Sequence, residues 1–172
     1  MKKKLLVSTT LALIVVLSFA YALLANAHTE SEPFCIDLLS GRKLEIDVGD
    51  VLVWNDAEYL YVQYVLHWQW YVTEIHLHVA TDLNEIPQKN GNPIPGQFAI
   101  KYEFDAPEHE PPVIALELKN SWTPGTQLYV AAHAAARYID CCNCIDRCET
   151  AWGGWCDFPG KNWATYFHYC VQ

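Results

Sequence analysis

Between Val51 and Val79 the chain reads VLVWNDAEYLYVQYVLHWQWYVTEIHLHV, a stretch rich in β-branched and aromatic residues and free of Pro and Gly. Apolar residues recur at every second position, the repeat of an extended chain whose successive side chains point to opposite faces. Val51 and Val53 lead into Trp54, and Asn55-Asp56-Ala57-Glu58 has the chemistry of a turn. Residues 59–66 return with Leu60, Val62 and Tyr64 on one face and Tyr59, Tyr61 and Gln63 on the other. After a corner near His67, residues 69–79 place Tyr71, Thr73, Ile75, Leu77 and Val79 on one face. Trp70, Val72, Glu74, His76 and His78 take the other. The pattern predicts three strands in a meander.

The flanking sequence extends the same architecture. Residues 35–39 and 44–48 predict a first pair of strands, with Gly49-Asp50 turning into the meander. Pro, Gly and Asn crowd residues 82–97, which predicts a long surface loop, and the acidic, proline-rich 106–112 predicts another. Residues 98–104 and 113–118 alternate as strands do. Residues 128–136 (LYVAAHAAA) carry enough Ala for a helix, but the leading Leu-Tyr-Val and the β context predict a strand. A Cys- and Gly-rich loop is expected over 139–160 and a last aromatic strand over 163–170. These elements predict an all-β fold, an antiparallel β-sandwich of about eight strands forming a single domain over 28–172.

The N-terminus bears on the compartment. Lys2, Lys3 and Lys4 precede an apolar run over 5–24, and Ala25-Asn26-Ala27 closes it with small residues. This is the pattern of a secretory signal peptide over 1–27, and it implies an extracellular or cell-surface protein. An uncleaved membrane anchor is the alternative for a run of this length. Without those three lysines the formal charge of −9 becomes −12, because every acidic residue lies beyond Ala27. That balance argues against nucleic acid and anionic lipid as partners.

Seven cysteines, Cys35, Cys141, Cys142, Cys144, Cys148, Cys156 and Cys170, suit an oxidising compartment and predict disulfides. The Cys141–Cys148 cluster has a superficial likeness to a zinc loop. Their odd number leaves at least one thiol free or paired between molecules, and spacing alone assigns no connectivity. A bridge from Cys35 would tie the N-terminal strand to the C-terminal region.

Several words together resemble a family of secreted prokaryotic β-sandwich proteins of unassigned function. They are Val53-Trp54-Asn55-Asp56 with Leu60-Tyr61-Val62, then Glu74 with His76-Leu77-His78-Val79, and Gly91-Asn92-Pro93 with Pro95-Gly96-Gln97-Phe98. LYVAAHA over 128–134, ETAWG over 149–153 and GKNWATYF over 160–167 complete the set. The resemblance spans nearly all of 28–172 and implies an extracellular or surface-attached module, with no reaction attached to it. The Cys141–Cys148 cluster departs from that pattern.

Three constellations can carry chemistry. Glu74, His76 and His78, two residues apart on one strand, share a face, and His133 on another strand can meet them. Imidazoles with a carboxylate suit zinc or copper, while a buried hydrogen-bonded network is the plainer reading. Asp56 and Glu58, or Asp82, Asn84 and Glu85, offer oxygens to calcium, although Asn55-Asp56 also makes a turn unaided. Trp68, Trp70, Trp152 and Trp155 can stack on a glycan if exposed. No G-x-S-x-G or H-E-x-x-H motif is present. The sequence therefore predicts no enzyme. It predicts a structural or adhesive surface module, such as a subunit of an extracellular assembly, that associates with itself or with other surface proteins. A carbohydrate- or metal-binding extracellular protein is the alternative.

Overall fold

The computed structural model describes residues 27–41, 45–140 and 145–172. Among these residues the fold is all-β and antiparallel, with ten strands in one curled sheet and a two-stranded ribbon beside it. The signal-peptide segment lies outside the described residues, apart from Ala27, as do Cys141, Cys142 and Cys144.

β1 (Phe34–Ser40) pairs with β2 (Ile46–Asn55), Phe34 facing Val53 and Ser40 facing Ile46. β2 runs straight through Gly49-Asp50, where a turn was expected, and so fuses two predicted strands into one. The cause is local. β2 bulges at Val48, the extra residue opposite the Leu38–Leu39 step of β1, and a Cβ on Gly49 would collide with the Val65 carbonyl oxygen of the next strand. Gly49 marks a close approach of two backbones inside a sheet, not a reversal. β3 (Tyr59–Leu66) returns along β2, and β8 (Ile114–Glu117) covers the far edge of β3.

The predicted meander ends there. β4 (Trp70–Ala80) does not pair with β3; it lies between β7 (Ile100–Glu108) and β9 (Gln127–Ile139). The corner at 67–69 redirects the chain. Trp70 N–H donates to the His67 carbonyl at 3.0 Å, and Gln69 sits at φ 71°, in the left-handed region. β4 also bulges between Val72 and Glu74, which exchanges its two faces. Trp70 and Val72 therefore join the core with Ile75, Leu77 and Val79, although simple alternation sets them on opposite faces.

β9 is the longest strand and holds the molecule together. β4 lies along one of its edges; β12 (Thr165–Cys170) and β10 (Ile145–Gly153) share the other, end to end. β10 then reaches β1, with Leu38 facing Gly153 and Ser40 facing Ala151, and closes the curl. β11 (Cys156–Asp157) borders β12. The expected loop over 139–160 is thus largely strand. Its Cys and Gly masked the alternation of Cys148, Thr150 and Trp152 with their neighbours.

Within the 82–97 loop, β5 (Gln88–Lys89) and β6 (Asn92–Pro93) form the separate ribbon. The curl faces β2 and β3 across a core with β4, β9 and β12. Val51, Val53, Leu60, Val62 and Tyr64 there meet Ile75, Leu77, Val130, Ala132, Phe167 and Tyr169. The Tyr64 hydroxyl donates to the His76 carbonyl at 3.2 Å, one bond spanning the core.

Candidate functional site

The outer face of β4 and β9 carries the histidines. Register places His76 opposite His133, and the β4 bulge turns Glu74, His76 and His78 away from the core. The rings of His76 and His133 approach with Nδ1 atoms 3.1 Å apart. One ring must present Nδ1–H and the other a bare Nδ1, so the two tautomers are locked to each other. Glu74 Oε2 lies 3.8 Å from the far nitrogen, Nε2, of His76. Trp152, from β10, stands edge-on to His133 with ring centroids 4.8 Å apart, and Phe98 stands edge-on to Trp152. A second apolar cluster seals this side: Ala80, Ile86, Phe98, Ala131, Trp152, Phe158 and Ala164.

Burial sets the charge state. His76 is 6% exposed, and desolvation lowers its pKa; Lys101 adds to this, while Glu74 and Glu103 oppose it. For His133, desolvation and then the neighbouring His76 push the pKa down to about 3. Both rings are therefore neutral near pH 7. His78 is held low by burial and then by Lys119, against Glu85, and its Nδ1 accepts from the Ala99 N–H at 3.2 Å. The structure thus brings Glu74, His76 and His133 into one chain and turns His78 to Phe98 and Ala99 instead. Among the described residues, no three His, Cys, Asp or Glu side chains converge as a metal centre requires.

The other candidates separate cleanly. Trp68 and Trp155 are 84% and 66% exposed, while Trp70 and Trp152 are buried and present no stacking face. Asp56 is consumed by its own turn: Oδ1 accepts from the N–H groups of Glu58 and Tyr59 at 2.8 and 2.7 Å, and Oδ2 from the Tyr61 hydroxyl at 2.8 Å. Those three donors lower its pKa, in that order. Asp82 caps Asn84 and Glu85 accepts from Thr81, so the second acidic group is likewise engaged within its own loop.

Disulfides were expected, but among the described residues none forms, and Cys35, Cys148, Cys156 and Cys170 stand as free thiols. Register accounts for this, since their Cα partners are Leu52, Arg137, Tyr166 and Gln127, none of them a cysteine. Cys35 instead donates to Asp50 Oδ1 at 3.4 Å; desolvation and then that carboxylate push its thiol up to about 11.

Two asparagines escaped sequence reasoning as organisers. Asn55 Oδ1 accepts from the Tyr169 hydroxyl at 2.8 Å and the Gln172 N–H at 2.9 Å, fastening the C-terminus to the β2–β3 turn. Asn92 Oδ1 accepts from the N–H groups of Lys161 and Asn162, both at 2.9 Å. Gly91 sits at φ 76°, and a Cβ there would lie 2.6 Å from Gly160 N. The GNP and GKN words are therefore two halves of one loop clamp. Comparison with protein-family models, with curated proteins and with solved structures gave no match.

Proposed function

We propose that this chain is a secreted or cell-surface module that works by contact and not by catalysis: a structural or adhesive component, a subunit of an extracellular assembly. The observation that carries this reading is β7. Among the described residues it pairs on one edge only, with β4, and Lys101, Tyr102, Glu103 and Asp105 are all exposed. Its outer edge is a row of backbone donors and acceptors open to another chain. Surface thiols at Cys35, Cys148 and Cys170 are consistent with covalent links between molecules in an oxidising compartment. The sandwich-like curl gives such a module a rigid body.

A second reading is ligand binding, and two observations favour it. Trp68 and Trp155 stand out from the surface as platforms for a sugar ring. The 3.1 Å between the Nδ1 atoms of His76 and His133 is also close to the spacing of two ligands on one zinc, about 3.3 Å for tetrahedral bonds of about 2.05 Å. Zinc or copper would then displace the shared proton, and Glu74 would act on His76 through its far nitrogen.

Native mass spectrometry of the secreted protein, with metal analysis of the same sample, separates these readings. Oligomers or partner complexes without metal are the expected result. A monomer carrying one metal ion, lost in His133→Ala, would retire the contact reading.

A further inference from the structure

We propose that the β7 edge takes a second copy of this chain, joining antiparallel to its own β7 about a two-fold axis at Tyr102. The proposal rests on the reading of the chain as a contact module and names its partner. Directly opposite residues in an antiparallel pair share a face of the sheet. A two-fold axis perpendicular to the sheet therefore requires paired positions an even number of residues apart, with the centre falling on a residue.

Only a few centres exist along 100–104, and charge decides between them. Centred on Tyr102, Lys101 faces Glu103 of the second copy, Glu103 faces its Lys101, Ile100 faces Phe104, and Tyr102 faces Tyr102. A centre at Lys101 sets lysine against lysine. One at Glu103 sets glutamate against glutamate, and one at Phe104 sets Glu103 against Asp105 twice. A centre at Ile100 leaves Lys101 against Ala99 and Glu103 against Gln97. Within 100–104, the Tyr102 register alone pairs every charge with its opposite and keeps the apolar row apolar.

The faces agree with this arrangement. Ile100 and Tyr102 lie opposite Leu77 and Ile75 of β4, on the core side, and Ile100 and Phe104 pack against the core. Tyr102 is 39% exposed and stacks on Phe104, with ring centroids 6.4 Å apart and planes within 14°. Pairing would extend that aromatic row across the axis and cover it. Lys101 and Glu103 lie on the opposite face, opposite His76 and Glu74. Lys101 Nζ donates to the Gly96 carbonyl at 3.2 Å, an exposed bond that it would exchange for Glu103 of the second copy.

Charges on an edge strand ordinarily guard it against unwanted pairing. Here the alternation of Lys and Glu about a tyrosine makes the guard self-complementary: it repels other edges while admitting its own copy.

Sedimentation over a concentration series tests this with four proteins: wild type, Lys101→Glu, Glu103→Lys and the double exchange. Each single exchange sets two like-charge pairs across the axis and should weaken the dimer on the order of tenfold. The double exchange should return the dimer to near wild-type strength. An equimolar mixture of the two single variants should form a heterodimer, because every pair across the axis is again lysine with glutamate. That rescue also shows both variants to be folded. Wild-type association that neither single exchange weakens would overturn the β7 pairing while leaving the contact reading in place. A wild type monomeric throughout would overturn the pairing as well, and the contact reading would then fall unless native mass spectrometry recovers a different partner.

Discussion

Asn55 shows how one side chain can be worth more than its position suggests. Its amide oxygen takes donors from Tyr169 and Gln172, and its nitrogen donates to the carbonyls of Asp56 and Gln172. Replacing it with alanine leaves the Tyr169 hydroxyl without its acceptor and releases Gln172 at the C-terminus, while β12 keeps its ladder to β9. Asn55→Ala should lower unfolding free energy by about 1–3 kcal/mol, read from the urea midpoint. A change below a few tenths would contradict the assigned bonds. The sequence announces Asn55 only as a turn residue, because its partners lie 114 and 117 positions away. The histidines behave differently. Alternation along β4 already places Glu74, His76 and His78 together, and only the register with β9 selects His133 as the partner. His133 stays neutral in the folded chain down to about pH 3, whereas an unfolded imidazole takes up a proton near pH 6.5. Below about pH 6.5 the unfolded state binds more protons, so stability is complete above that value and falls as pH drops toward about 3. The slope is at most about 1.4 kcal/mol per pH unit from this ring. His133→Gln should flatten the dependence of the urea midpoint between about pH 7 and pH 5, and an unaltered slope would contradict a buried neutral pair.

At the scale of elements, strand content was legible and strand partnership was not. Residues 59–66 read as a strand because their apolar positions alternate, and 128–136 because Leu-Tyr-Val leads an Ala-rich run in a β context; β3 and β9 contain them. The β4 bulge erased that regularity at Thr73, and Gly49 imitated a turn because close backbone approach and chain reversal both select glycine. β10 was hidden for the opposite reason, since its burial depends on β9 and β1, distant in sequence. The clamp between Asn92 and the 160–162 segment is the clearest contact of this kind. Its three-way bond fixes two long loops over the apolar cluster around Trp152. Asn92→Ala should therefore leave the main core folded and speed limited proteolysis within 82–97 several-fold, while equal cleavage rates would show the loops to be held otherwise.

For the whole molecule, the curl leaves distinct ends. β8 closes one margin with four residues. β7 closes another with nine residues, none buried and six of them exposed, on a strand whose Lys-Tyr-Glu centre is complementary to itself. An acidic chain with a formal charge of −9 repels its copies at long range, so pairing demands a local match, and β7 supplies one. The tryptophans divide in the same spirit: Trp54, Trp70, Trp122 and Trp152 build the interior, and Trp68 and Trp155 are left to the surface. Composition alone could not sort them, because an aromatic ring serves a core and a contact face equally well. Amide hydrogen exchange at low and high protein concentration tests association through β7 most directly. With β7 paired to its copy, exchange over 100–104 slows as concentration rises while β8 is unchanged; identical exchange in β7 at both concentrations would contradict the pairing.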